Sequence, residues 1–215
     1  MIALIITQGP ARARRSLRDL AARADLILAA DGGARVARAA GVNPHLIIGD
    51  LDSLDPATAR WVSRRRIPRR RFPVSKDATD AELALREALR RGAGEIWIFA
   101  TLTGRMDQAL ANLLLLISAR AARARAVLTD GRATAWLASG RARISGRPGD
   151  LVSLLSLSPT VSGIVTAGLR YPLRGGSLRR GSTRGISNEI ITAPASLRVG
   201  RGDLLVIQTP RRAPR

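Results

Sequence analysis

Cysteine is absent from the 215 residues, which excludes disulfides, thiolate nucleophiles and cysteine-held zinc or iron-sulfur sites. Histidine occurs once, at His45, so a multi-histidine zinc centre is excluded as well. Aromatic residues make up 3% of the chain. Leu, Ile, Val and Ala must therefore fill the core, and the surface has few of the stacking platforms that hold single-stranded nucleic acid. No apolar run approaches the roughly 18 residues of a membrane span, and the run 2–6 is too short for the apolar part of a secretion signal. A cytoplasmic protein is expected. Acids are scarce too: 16 Asp and Glu face 36 Lys and Arg, a formal net charge of +20.

What is present describes a globular chain, with 46% hydrophobic and 24% charged residues. Its length lies at the border between one domain and two. The basic excess would ordinarily point to a nucleic-acid partner. Here, however, nearly every cation is Arg and the arginines are scattered along the whole chain, as a composition bias would leave them. The only dense cluster, R-R-R-I-P-R-R-R at 64–71, reads as a solvated loop, and a nucleic-acid partner is not expected.

Over the first 130 or so residues, short β-branched or Leu-rich runs alternate with longer segments of helical period, the pattern of βαβ units and a parallel sheet. Strands are expected at 3–7, 26–30, 46–49, 71–74, 95–100 and 126–129. Helices are expected at 11–24, 34–40, 56–64, 80–91 and 106–120, with Asp55 or Ser53 capping the third and Thr79 the fourth. From 133 onward, short strands separated by Gly, Pro and Ser replace this pattern: 133–138, 141–145, 151–157, 161–167, 189–192, 196–199 and 204–208. The fold class is therefore α/β, with an N-terminal, mostly parallel sheet flanked by helices over 1–132 and a smaller all-β sandwich over 133–215.

The placement of the acids is uneven. Ten of the sixteen lie between Asp31 and Asp107, grouped as D-G-G, G-D-L-D-S, K-D-A-T-D-A-E and G-R-M-D-Q. Like charges repel, and arginines are plentiful enough to separate them, so the grouping points to a cation held between carboxylates. A hard divalent metal shared with substrate phosphates fits that chemistry. Each group follows an expected strand. In a parallel sheet those strand ends share one edge, the edge where open α/β sheets bind ligands.

Asp50 and Asp52, two residues apart on leaving a strand, project to the same side and can reach one metal. The bland alternative is a strand end followed by a helix cap. Lys76 is the only lysine in a chain that otherwise uses Arg, and a compact ammonium suits a point contact with phosphate. Asp77 and Asp80 flank Thr79 in the same motif. Glu82, Glu87 and Glu95 read as ordinary helix or strand-edge acids. Gly104 permits close backbone approach of an anion to the next helix, Arg105 can clamp phosphate oxygens, and Asp107 is either a first-turn acid or a metal or water contact. Asp31 and Gly32 form a tight turn that is as consistent with a plain loop as with nucleotide contact. Neither G-x-x-x-x-G-K-[ST] nor G-x-G-x-x-G occurs, so the site is neither a P-loop nor a dinucleotide fingerprint. His45 lies at the far end of its strand and reads as a surface or packing residue.

Taken together, D-G-G-A at 31–34, P-H-L-I-I-G-D-L-D-S at 44–53, F-P-V-S-K-D-A-T-D-A-E-L-A-L at 72–85 and T-G-R-M-D-Q-A-L-A-N at 103–112 resemble the thiamine pyrophosphokinase family. G-L-R-Y-P-L at 168–173 and G-S-T-R-G-I-S-N-E at 181–189 extend the resemblance over nearly the whole chain. It implies transfer of the terminal diphosphate of ATP to the hydroxyl of thiamine, giving thiamine diphosphate and AMP. It also implies a homodimer with active sites at the subunit interface. By the same resemblance Asp50, Asp52 and Asp80 match the Mg2+-binding acids. Lys76, Asp77, Arg105 and Asp107 match the surrounding nucleotide and diphosphate site, with Asp31, Gly32, Thr79 and Gly104 beside them. Tyr171, Ser187 and Asn188 fall in the thiamine pocket. Gln108 stands where many relatives carry His, and Ala78 replaces a common polar residue. The alternatives are a related pyrophosphokinase or nucleotide-dependent transferase acting on another acceptor, such as a pterin alcohol, and, behind it, an arginine-rich nucleic-acid-binding protein.

Overall fold

The structure, a computed structural model, describes residues 1–10, 13–51, 54–75 and 77–211. It divides into two compact units, Met1–Gly131 and Arg132–Arg215.

Among the described residues the first unit carries six strands: β1 (Ile2–Ile6), β2 (Leu26–Ala30), β3 (Leu46–Gly49), β4 (Arg69–Arg71), β5 (Glu95–Phe99) and β6 (Arg125–Thr129). They pair in parallel in the order β6-β5-β1-β2-β3-β4. The inner strands are continuous apolar runs, as strands covered on both faces require, and Leu4, Ile6, Leu28, Ile48 and Phe99 are fully buried. Helices α1 (Arg14–Ala21), α2 (Gly33–Ala40), α3 (Pro56–Arg64), α4 (Asp80–Arg90) and α5 (Met106–Ala121) connect them. Local chemistry sets their ends. Asp55 caps α3, its Oδ1 accepting from the Ala57 and Thr58 amides at 3.0 and 2.9 Å, with Pro56 at the first helical position. Thr79 caps α4, accepting from the Glu82 amide at 3.2 Å.

The basic run departs from its expected form. Strand β4 lies at Arg69–Arg71, not 71–74, and is drawn from the cluster that read as a loop, because backbone pairing to Ile47–Gly49 outweighs its polar side chains. Arg70 then reaches Glu87 on α4 at 2.7 Å, and Arg90 and Arg91 close on the same carboxylate at 2.9 and 2.6 Å. Glu87 is only 3% exposed. These bonds, led by Arg90, hold its pKa down at about 2, against the burial that opposes ionisation. It is a buried hub joining α4 to the edge of the sheet, and not the ordinary helix acid expected. His45 is a surface residue whose Nδ1 accepts from the Ile27 amide at 2.9 Å.

The second unit contains β7 (Thr134–Ile144), β8 (Leu151–Ser156), β9 (Thr160–Ala167), β10 (Arg174–Arg179), β11 (Asn188–Glu189) and β12 (Ala195–Thr209). Strand β12 organises it. Its first half pairs with β9 and its second with β8, while β7 runs antiparallel alongside both halves across a register shift between Val199 and Leu204. Strands β10 and β11 extend the two halves, beside β9 and β8 respectively. Ile144, Val152, Ile164, Leu178, Leu197 and Val206 close a core between them. No helix among the described residues is long and apolar enough to cross a membrane.

Candidate active site

At the carboxyl ends of β1, β2 and β5 lies a cleft of about 450 Å3. Thr7 and Gln8 enter it from β1, and Asp31 and Gly32 from β2. Thr79 and Asp80 come from the start of α4, Thr101, Thr103 and Gly104 from the loop after β5, and Arg105, Gln108 and Asn112 from α5. Parallel strands deliver all of these to one edge, so residues remote in sequence become neighbours.

The acidic side of the cleft is built around Gly49. A Cβ at this position would lie 3.0 Å from the Cβ of Asp31 and 3.3 Å from the carboxyl carbon of Asp80. Glycine thus lets two carboxylates close over the end of β3, immediately before Asp50. The Oδ1 atoms of Asp31 and Asp80 are both shut off from solvent. Asp31 holds a left-handed φ of 43°, and its amide donates to Ile48 at 2.8 Å, tying the β2 turn to β3. Within that turn a Cβ at Gly32 would meet Gln8 Nε2 at 3.1 Å, and one at Gly33 would press into the Ile6 carbonyl. The D-G-G motif is therefore demanded by close packing at the cleft floor.

The opposite side is cationic and rich in donors. Gly104 adopts φ 86° at the entry to α5, and the N-cap residue Arg105 makes no side-chain capping hydrogen bond to that helix. Arg105 pairs with Asp107 through two contacts, both side chains well exposed. Hydrogen bonding from Arg105 is the largest influence lowering the Asp107 pKa. A carboxylate so stabilised is a weak proton acceptor, which counts against Asp107 as a base.

Of the residues expected from the sequence, Asp31, Gly32, Thr79, Asp80, Gly104 and Arg105 come together in this cleft. Asp50 adjoins it through Gly49. Asp77 and Asp107 are exposed and are not among its lining residues. Asp52 and Lys76 lie outside the described residues. Among the described residues no three of His, Cys, Asp or Glu are already arranged as a metal-holding group. Hard carboxylate oxygens at this cleft nonetheless match the donor set of a hard divalent metal. Sequence reasoning passed over Thr7, Gln8, Thr101, Thr103 and Asn112. The strand-end rule used for the acids would have found Gln8 and Thr101, which follow expected strands, and Thr7, which ends one. Asn112, 5% exposed and one turn beyond Gln108, is a buried polar residue that periodicity alone cannot distinguish.

In the second unit, Tyr171, Ser187 and Asn188 are also brought together. Asn188 is buried, and its amide is engaged by backbone. Its Nδ2 donates to the Tyr171 carbonyl at 2.8 Å, while its Oδ1 accepts from the Tyr171 and Glu189 amides at 3.0 and 2.9 Å. The Tyr171 side chain stands 67% exposed above this clamp. Ser187, at φ 58°, donates its amide to Ser153 Oγ at 3.1 Å. Arg170 and Glu189 pair at 3.1 Å beside them.

A parallel α/β unit with a carboxylate-walled cleft at its strand ends, joined to an all-β unit, defines the class as an enzyme of the α/β kind. Family comparison gives the rest. The model for the thiamin pyrophosphokinase catalytic domain matches residues 17–128, and that for the thiamin pyrophosphokinase vitamin B1 binding domain matches 142–202. The chain belongs to the thiamin pyrophosphokinase family. The thiamine pyrophosphokinase of Bacillus subtilis (strain 168) is 27% identical over 207 residues, covering 95% of this chain and 97% of that protein. The crystal structure of the Bacillus subtilis enzyme superposes with a TM-score of 0.86 at 26% identity, covering 98% and 99% of the two chains. That of Geobacillus thermodenitrificans thiamin pyrophosphokinase gives 0.83 at 26% identity over 99% of each. The yeast enzyme, at 15% identity and a TM-score of 0.76 over 97% and 86%, shares the fold.

Proposed function

We propose that this chain transfers the terminal diphosphate of ATP to the hydroxyl of thiamine, releasing AMP, and that it requires Mg2+. One observation carries the reading: Asp31 and Asp80 close over Gly49 on one side of a cleft of about 450 Å3, with Gly104 and Arg105 on the other. Diphosphate transfer needs little covalent work from a protein, only alignment and charge neutralisation. Asp50, Asp52 and Asp80 would hold the metal, which would supply positive charge to offset that of the phosphates. Lys76 would contact the transferred phosphates as a point charge. Arg105 would leave Asp107 to fork onto phosphate oxygens, and the first amides of α5 would face the same anion. Asp31, Gly32, Asp77 and Thr79 would border the nucleotide.

The exposed Tyr171, held from below by Asn188 and flanked by Ser187, would offer an aromatic face to cationic thiamine. Residues 1–132 would thus form the nucleotide domain and 133–215 the thiamine and dimerisation domain. Met106, Leu110 and Leu114 are 82%, 56% and 48% exposed. Spaced one turn apart along α5, they form an apolar stripe whose cover would be a second copy, with active sites at the subunit interface. A panel of acceptors with terminally labelled ATP tests the substrate assignment. Label should pass to thiamine; transfer to a pterin alcohol in preference to thiamine would overturn it.

A further inference from the structure

We propose that the outer face of the four-stranded layer β10-β9-β12-β7 docks the phosphate backbone of a double-stranded nucleic acid. Strand register carries the argument. Arg174 lies opposite Val165, Val165 opposite Arg198, and Arg198 opposite Arg141, one line across four strands. Directly opposed residues share a face, and Arg143, two residues from Arg141 and opposite Ser196, shares it as well. All four arginines are exposed. Ile144 beside Arg143, Leu197 and Val199 beside Arg198, and Ile164 beside Val165 belong to the core, and Leu173 beside Arg174 packs against it, which fixes the arginines outward. A shallow, open dish of about 500 Å3 lies among Arg141, Arg143 and Arg198, with Val165 and Ser196 along it.

What sets this face apart is that four arginines are gathered in register on one sheet surface. Some arginines of the chain meet acids: Arg70, Arg90 and Arg91 meet Glu87, Arg86 meets Glu82, and Arg125 meets Glu95. Among the described residues no carboxylate is paired with Arg141, Arg143, Arg174 or Arg198. In this unit Asp150 accepts from the Arg147 and Arg211 amides, and Glu189 pairs with Arg170. Arg198 and Arg141 are like charges directly opposed, an arrangement that destabilises a sheet unless an anion lies over it.

The occupant follows from shape and chemistry. Strands are about 4.8 Å apart, so the line from Arg174 to Arg141 spans roughly 14 Å, suited to an extended polyanion and too open for one small anion. Guanidinium forks match phosphate oxygens. No aromatic lies on the face to stack unpaired bases; Trp136 packs against the core. That favours the backbone of a duplex over a single strand. A self-complementary contact with a second copy would set arginine against arginine. The four arginines are spread from 141 to 198, which is why the run at 64–71 masked them in the sequence.

Fluorescence anisotropy of the full chain on a labelled duplex of about 20 base pairs, across about 50 to 300 mM KCl, tests the proposal. The fourfold variant R141S/R143S/R174S/R198S should flatten the slope of log K against log salt by about 3 to 4, roughly 0.9 for each phosphate no longer neutralised. A control removing the exposed Arg14, Arg15, Arg60 and Arg64 to Ser should change it by less than about 1. Relief of like-charge repulsion should leave the Tm of the fourfold variant at or above wild type. Should that variant unfold, Arg141→Ser alone must lower the slope by about 1. Equal flattening in both fourfold variants, or an unchanged slope in the first, would overturn the proposal. So would binding to phosphatidylserine vesicles through these four residues with none to the duplex.

Discussion

Replacing Glu87 by Gln keeps the shape of a side chain that is 3% exposed but removes the charge that Arg70, Arg90 and Arg91 hold at 2.7, 2.9 and 2.6 Å. The folded-state pKa is about 2 against 4.5 for the free group. A drop of that size corresponds to about 3 kcal/mol of stability at neutral pH, nearer 2 once solvent screening of the partly exposed arginines is allowed for. Because the folded value lies below the unfolded one, this stabilisation is fully present above about pH 4.5 and is lost as pH falls through 2. Glu87→Gln should therefore lower Tm by roughly 5 to 10 °C at pH 7. In urea unfolding the gap between wild type and variant should shrink steadily from pH 5 to pH 2. Glu82→Gln, which breaks only the exposed pair with Arg86, serves as control and should cost no more than about 0.5 kcal/mol. A Glu87→Gln gap below about 0.5 kcal/mol at pH 7, or one that does not change with pH, would refute the reasoning.

Asp80→Asn and Asp52→Asn should each cut thiamine-dependent AMP release by roughly 100-fold or more with Tm unchanged, as read from initial rates and thermal melts on the same samples. Gly33→Ala, which drives a methyl into the Ile6 carbonyl, should cost about 1 to 3 kcal/mol in urea unfolding. Asp55→Ala removes the α3 cap and should lower Tm. The Asp55 pKa is lowered, first by its bond from the Thr58 hydroxyl, so the deficit should fade as pH drops through and below the ordinary Asp range.

The α/β half of the fold was readable from the sequence because each inner strand is a short apolar run and two of the helices carry their own caps, as Asp55 and Thr79 show. Strand β4 was displaced because three arginines give no apolar signal, and only pairing with β3 reveals it. Strand β10, with its two glycines and terminal arginines, was missed for the same reason. Strands β7 and β12 were each split in two at Gly140 and around 200–202, where glycines read as turns but the paired strands continue past them. At the cleft, charge made Asp31, Asp80 and Arg105 conspicuous, whereas Asn112 carries no pattern that a single sequence displays. Glu87 was misjudged because burial of an acid depends on Arg70, which lies 17 positions away in sequence and reaches it only through the fold.

The central claim is diphosphate transfer from ATP to thiamine, and one assay addresses it most directly: quantifying AMP, ADP and thiamine diphosphate together as thiamine is titrated with Mg2+ and ATP held in excess. AMP and thiamine diphosphate should appear in a one-to-one ratio and stop when thiamine is exhausted. ADP as the nucleotide product, or AMP formed without thiamine, would contradict it.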